Sequence, residues 1–360
     1  MRRTLVLGII VLAGVVTAAM LSAQERGREG AQGREGGRGG GGGRGPGFPP
    51  VQKIEKVKEN LYMIQGQGGN TAVYVAQSGV VVVDTKLANN GQAILDQIKS
   101  VTDKPISTII NTHTHGDHTG SNAFFPASVD IIVQDNTAAN MKRDENFQKE
   151  ENKNGLPDRT FKDKMSLLKG KDEIDLYYFG AAHTNGDAFV VFKNLRVMHA
   201  GDAFANKGQP LIDRNNGGSG VAYPDTLAKA AKGIKAVGTV INGHTMAVTT
   251  WQDFVDFGEF NRLYLAHARE SMKAGKSPEE ALKTLTLPAK FKDYNVAPGG
   301  RGGPGGNMNE ERRTSNFELR TAVISLVCES RTPVSVPAIG LNAGYRDRGA
   351  APCTARSRCS

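Results

Sequence analysis

The sequence predicts an α+β fold in which two mixed β-sheets are sandwiched between helices. Three observations predict it. Short apolar runs of strand length alternate with helical patterns in a mixed β and βα order. Each cluster of chemistry-bearing residues stands where such a run ends and a loop begins, the place where a rigid sheet holds side chains that a loop can shape around a ligand. Between a Gly/Arg-rich N-terminal stretch and an aperiodic tail, residues 51–329 form one stretch of single-domain length, with a Gly/Pro-rich loop at 297–307.

Taken in order, residues 57–75 carry two strand patterns around the turn at 65–70, and residues 80–83, Val-Val-Val-Val, form a strand buried on both faces. Residues 91–100 place Ile94, Leu95 and Ile98 on a helical face. Strands are expected at 106–110, 129–133 and 174–178. The charged stretch 136–171, broken at Gly155-Leu156-Pro157, is expected to be a helix and a loop over the substrate side. Phe254, Phe257, Phe260, Leu263 and Tyr264 recur at helical spacing, and Ser277-Pro278-Glu279-Glu280 is a capping box that opens another helix.

Three of the seven histidines lie in His113-Thr114-His115-Gly116-Asp117-His118, directly after the apolar run at 106–110. Imidazole and carboxylate are the ligands that zinc and its borderline neighbours prefer, and alternation puts His113 and His115 on one side of an extended segment. Four ligands from one turn cannot converge on one tetrahedral ion with an open position, so the stretch is expected to feed two adjacent metals. His183, Asp202 and His244 then follow, each after a short apolar run. His199, three residues before Asp202, is expected to point away from it, and His267 to be structural or exposed.

The pattern His-x-His-x-Asp-His, followed by a later His, Asp and His, resembles the metallo-β-lactamase superfamily of binuclear metal hydrolases over residues 51–265. The resemblance implies a four-layer αββα sandwich. It also implies that His113, His115 and His183 bind one metal, that Asp117, His118 and His244 bind a second, and that Asp202 bridges them. Asp84, ending the run at 80–83, is the counterpart of the superfamily's early structural aspartate and is expected to support the ligand loop. Asp187, four residues after His183, is expected either to support a ligand or to cap the next strand. A bridging carboxylate marks the hydroxyacylglutathione hydrolase and lactonase side, whereas true β-lactamases usually carry Cys or Ser where Asp202 stands. No glutathione-binding helical domain is identifiable.

Two cations about 3.5–4 Å apart lower the pKa of a shared water, so the expected reaction is attack of a metal-bridging hydroxide on an ester, thioester, lactone or amide carbonyl. Asp117 is the candidate to orient the hydroxide or carry a proton to the leaving group. The cofactors expected are two divalent ions, zinc first, with manganese and iron open to the same ligands. Lys207 and Arg214 are candidates to hold a substrate carboxylate, and Asn216 to donate to an oxyanion. A β-lactam substrate, a noncatalytic metal or ligand binder, and redox chemistry at two irons are the alternatives. The full set of seven ligands favours the hydrolase, and no flavin-binding or rubredoxin-like segment accompanies the redox reading.

Composition sets the context. Arg2 and Arg3, an apolar run at 5–16 and small residues ending at Ala23 have the layout of a signal peptide over residues 1–23, which makes the chain exported, periplasmic or extracellular, with no membrane span left after cleavage. Residues 24–50, almost wholly Gly, Arg, Glu and Pro, read as a disordered tether. The net charge of +9 is concentrated at the ends: seven Arg and three Glu give +4 within 1–50, and five Arg and one Asp give +4 within 330–360. The body is nearly neutral, so a small-molecule substrate is expected and a nucleic-acid partner is not. Nothing in the sequence sets the oligomeric state. Cys328, Cys353 and Cys359 lack ligand spacing, and an odd number allows at most one internal disulfide, Cys353 with Cys359 the candidate pair. Residues 330–360 are expected to be disordered.

Overall fold

The valines of the strand Gly79–Val83 divide by parity. Val80 and Val82 pack with Ile94, Ile98 and Met141 under one set of helices, while Val81 and Val83 pack with Ile110, Leu176, Val190 and Phe192 between two sheets. A strand buried on both faces needs no polar alternation, which is why this run reads as continuous valine. The computed structural model describes residues 48–296. The signal peptide, most of the 24–50 tether, the 297–307 loop, the 330–360 tail and all three cysteines lie outside the described residues.

The first sheet runs β1 (Glu55–Lys58), β2 (Leu61–Ile64), β3 (Thr71–Ala76), β4 (Gly79–Val83), β5 (Ile106–Ile110), β6 (Asp130–Gln134), β7 (Arg159–Phe161), in sequence order. It is antiparallel from β1 to β4 and parallel from β4 to β7. The second is ordered β13 (Thr249–Thr250), β12 (Thr239–Ile241), β11 (Val197–His199), β10 (Phe189–Phe192), β9 (Ile174–Tyr177), β8 (Lys164–Leu167), with β11 and β12 parallel. Helices α1 (Gly91–Lys99) and α3 (Asp135–Arg143) cover the outer face of the first sheet. Helices α5 (Tyr223–Gly233) and α6 (Trp251–Lys273) cover the second through Tyr223, Leu227, Phe254, Phe257 and Phe260. The layers are therefore αββα, as expected.

Three elements depart from the expectation. The charged stretch 136–171 contains more than a helix and a loop, because β7 and β8 close one edge of each sheet, with Phe161 and Leu167 buried between them. Their exposed charged neighbours hide the strand period. Helix α5, which the sequence reading passed over, is entered through Pro224 and buries Leu227 and Ala230. Residues 48–50, assigned to the tether by composition, lie against the β2–β3 turn, where the Gln67 backbone N–H donates to the Pro49 carbonyl at 2.7 Å. The two capping boxes, Thr250 with Asp253 and Ser277 with Glu280, open α6 and α7 (Pro278–Lys283). Among the described residues, no helix is long and apolar enough to cross a membrane.

Candidate metal centre

Strands β4, β5, β11 and β12 all end toward the same side, and their loops deliver Asp84, the His113–His118 turn, Asp202 and His244 to one place. His183 arrives from the β9–β10 connection. After β5 the chain bends through Thr112–Thr114, is extended at His115 and then turns into the one-turn helix α2 (Gly116–Thr119), so that Asp117 and His118 come from a different local geometry than His113 and His115. Ligand atoms of His113, His115, His183 and Asp202 lie within 4.8 Å of one another, as do those of Asp117, His118 and His244.

Asp202 stands between the groups. Its Oδ1 is 3.4 Å from His118 Nε2, and its Oδ2 is 3.2 Å from His244 Nε2 and 3.7 Å from His183 Nε2. Asp117 Oδ2 is 3.3 Å from His244 Nε2 and 3.7 Å from His118 Nε2.

Outer hydrogen bonds fix which imidazole nitrogens are free. Carboxylate and carbonyl oxygens only accept, so His118 Nδ1 donates to Asp84 Oδ2 at 2.7 Å, His115 Nε2 to Asp213 Oδ2 at 2.7 Å, and His183 Nδ1 to the Leu211 carbonyl at 2.9 Å. The Thr112 hydroxyl donates to Asp84 Oδ2 at 2.8 Å, which leaves its lone pair for the proton on His113 Nδ1 at 3.0 Å. The opposite nitrogens then carry lone pairs and face inward. His183 Nε2 and His115 Nδ1 are 3.0 Å apart, His118 Nε2 and His244 Nε2 are 3.3 Å apart, and His113 Nε2 is buried without a hydrogen-bond partner. In their neutral forms His115 and His183 have their protons directed outward, so the two inward nitrogens present lone pairs to each other. A cation between them resolves the repulsion, and the donor set suits a divalent metal.

Electrostatics agree. Burial works against a charge on His118, yet the carboxylates of Asp117, Asp202 and Asp84 outweigh it and raise its pKa well above the usual imidazole range. The field that would hold a proton there also holds a metal ion. Burial and the surrounding imidazoles push His113 well below that range, which keeps it in its neutral ligand form. Asp202 is penalised by burial, but His244 and His118 hold it ionised, far below the ordinary carboxylate value. The His115 hydrogen bond likewise holds Asp213 down, despite partial burial.

The remaining sequence-derived candidates fall into clear places. Asp84, fully buried and at φ 64°, accepts from the Thr112 backbone and hydroxyl as well as from His118. Asp187 accepts from the Thr184 N–H at 2.9 Å and hydroxyl at 2.7 Å, so it braces the loop that carries His183. His199 is buried and joins neither ligand group, since its Nε2 donates to the Asn70 carbonyl. His267 links α6 to α7 through the Ala281 carbonyl. Two of the substrate-contact candidates have side-chain partners of their own. Lys207 is paired with Asp253 at 2.6 Å at the start of α6, and Asn216 donates to Asp213 Oδ2 at 2.6 Å instead of standing free for an oxyanion. Local charge and turn chemistry claim both side chains. Arg214 is exposed at the head of a short 3-10 turn (Arg214–Asn216).

Sequence reasoning missed four participants. Asp213 looks like one more turn former in 213–219, and only its distance to His115 marks it. Tyr223, in the overlooked α5, donates to the Asp202 carbonyl at 3.0 Å. Asn70 binds the Asn242 and Thr245 carbonyls on both sides of His244. Lys86 is fully buried, its ammonium donating to the Ile64 and Gly69 carbonyls at 2.9 Å each.

An αββα sandwich with histidines and aspartates gathered in two facing groups at one edge defines a class of metal-centred proteins. Residues 64–244 match the family model described as the metallo-beta-lactamase superfamily, and the chain belongs to that superfamily. It is 28% identical over 161 residues to a metallo-beta-lactamase type 2 of Elizabethkingia meningoseptica, a match covering 42% of this chain and 62% of that protein. It is also 28% identical over 157 residues to the 2,4-dinitroanisole O-demethylase subunit alpha of Nocardioides sp. (strain JS1661), covering 42% and 46%. The chain thus spans less than two thirds of either relative. Among solved structures, DIM-1 metallo-beta-lactamase superposes with a TM-score of 0.51 at 18% identity, covering 60% of this chain and 98% of that one. A metallo-beta-lactamase from Pontibacter korlensis superposes at 0.50 and 16%, covering 59% and 99%. At these identities the likeness establishes the fold.

Proposed function

We propose that the protein is an exported, binuclear metal-dependent hydrolase that opens the carbonyl of a small ester, thioester, lactone or amide. The observation that carries this reading is Asp202, one carboxylate facing both imidazole groups at 3.2–3.7 Å. When bound, two divalent cations would supply Lewis acidity, giving an acidified water at neutral pH and a polarised carbonyl. His113, His115 and His183 would hold one ion, Asp117, His118 and His244 the other, and Asp202 both. Asp84 and Asp213 keep the rings turned so that lone pairs face inward. Asp117, more exposed than Asp202, would face the ion through Oδ2, and its other carboxylate oxygen would carry a proton to the leaving group. Zinc is the first expectation for the ions, with manganese or iron able to use the same donors.

The bridging aspartate favours esters, thioesters and lactones over lactams, and a β-lactam is the second substrate class because one relative is a metallo-beta-lactamase. The other relative is named for demethylating dinitroanisole, which adds an activated aryl ether to the substrates worth trying. The test is metal analysis of native protein, followed by a panel of lactone, thioester, ester, amide, β-lactam and aryl ether substrates. Two metals per chain and chelator-sensitive turnover of one class are expected. Silence across the panel from the two-metal form would leave a noncatalytic binder. Export is tested by N-terminal sequencing of protein recovered outside the cytoplasm, with a new terminus expected after Ala23.

A further inference from the structure

Residues 48–50 cross the β2–β3 turn beside the metal centre. Gln67 pins them twice, its backbone N–H to the Pro49 carbonyl at 2.7 Å and its side-chain amide to the Phe48 carbonyl at 3.1 Å. The turn beneath has no thickness to give. A Cβ at Gly66 would sit 2.0 Å from the Pro50 carbonyl oxygen, and one at Gly69 would meet the His118 ring at 2.1 Å. The glycines are therefore pressed between the 48–50 segment and a candidate ligand, and the segment's position is fixed by the same layer that seats His118.

This clamp holds the Phe48 ring against His244, with centroids 5.8 Å apart and planes 20° from parallel. The ring is nevertheless 39% exposed. The phenyl group is thus fixed through its backbone and its contact with His244 while part of its surface stays open to solvent beside a candidate ligand. Leu211 and Met246 are each 53% exposed as well. The Leu211 carbonyl accepts from His183, and Met246 stands two residues after His244, so three of the five exposed large apolar side chains among the described residues lie in segments that adjoin the ligands.

We propose that Phe48 is the aromatic wall of the substrate site and selects substrates that carry an aromatic or flat apolar group on the His244 side. The proposal deepens the hydrolase reading and rests on it for the word substrate. A wall that is already in place costs little ordering on binding, so its contribution appears as selectivity. Stacking of this kind is worth about two- to tenfold in affinity.

The test uses the full metal-loaded chain and two matched pairs of probes. Phenylacetate and acetate are compared by calorimetric Kd, the carboxylate serving as a common anchor, and methyl phenylacetate and methyl acetate by kcat/KM. The parent protein is expected to prefer the aromatic member of each pair. Phe48→Ala should shrink that preference by about two- to tenfold, while Phe48→Trp should keep it. Thermal melting checks that the variants remain folded. An unchanged preference in Phe48→Ala, equal loss for both members of a pair, or absence of any preference in the parent overturns the proposal. If neither ester turns over, the hydrolase reading suffers, and the ratio of carboxylate Kd values still decides the role of Phe48.

Discussion

His113, His183 and Asp202 are buried and His115, as exposed as His244, is the one partly open member of its group, whereas of Asp117, His118 and His244 only His118 is buried. The first group is braced by the Thr112 hydroxyl, the Leu211 carbonyl and Asp213; the second meets the glycine turn and Phe48. The difference separates two tasks. The more closed group, three imidazoles and a carboxylate with three of the four buried, fixes charge, while the more open trio beside an aromatic ring is where a substrate can arrive. The closed group should therefore bind its metal more tightly than the open one.

Asp202→Ala tests the shared element and should have the largest effect, because it removes a donor from both groups at once. Loss of an outer partner of a ligand typically weakens metal binding about 10–100-fold, and loss of the shared ligand should exceed that at both positions. Dialysed Asp202→Ala is expected to hold well under one metal per chain by elemental analysis. Retention of one tightly held metal would show that the closed group needs only its imidazoles.

His118→Ala separates the groups. The open group loses its buried member while the closed group keeps all four, so the variant should hold one metal per chain, remain folded and lose turnover. Two metals and full turnover would refute the division. Asp213→Ala should act in the opposite direction and more gently, freeing His115 to rotate and weakening the closed group about 10–100-fold. A competing chelator titration would detect it, and loss confined to the more weakly bound metal would reverse the assignment.

These contrasts were unevenly legible in the sequence. Seven candidate ligands could be named because three of the seven histidines fall within six residues and a later His, Asp and His each follow a short apolar run, and the doubly buried valine run at 80–83 locates Asp84 behind them. Asp213 could not be named, since an aspartate in a glycine-rich loop is an ordinary turn former until the fold sets it 2.7 Å from His115. The Lys207 pairing was hidden for the converse reason: whether a cation near the site in sequence has a carboxylate beside it is set by the fold, which brings Asp253 to it. The β7 and β8 edge strands were hidden because a strand with one solvated side and charged flanks has helical composition. Phe48 was lost to the composition of its neighbours, although a lone aromatic in a Gly/Arg tract is itself a signal.

Lys86 sharpens the comparison from behind the open group. Burial lowers its pKa from the ordinary lysine value to about 7, against the pull of Asp84 and Asp117. The unfolded chain holds its proton until about pH 10.5, so between pH 7 and 10.5 the unfolded state binds more protons than the folded one. Stability from this site therefore rises with pH across that window, and below pH 7 the cost of the buried charge is present in full. Lys86→Met keeps the stem but deletes the ammonium and its bonds to the Ile64 and Gly69 carbonyls. The parent should gain on the order of 1 kcal/mol or more over the variant between pH 6.5 and 9.5, by urea unfolding of metal-free protein. Parallel pH profiles would mean that the ammonium is solvated in solution and does not keep its bonds to the Ile64 and Gly69 carbonyls.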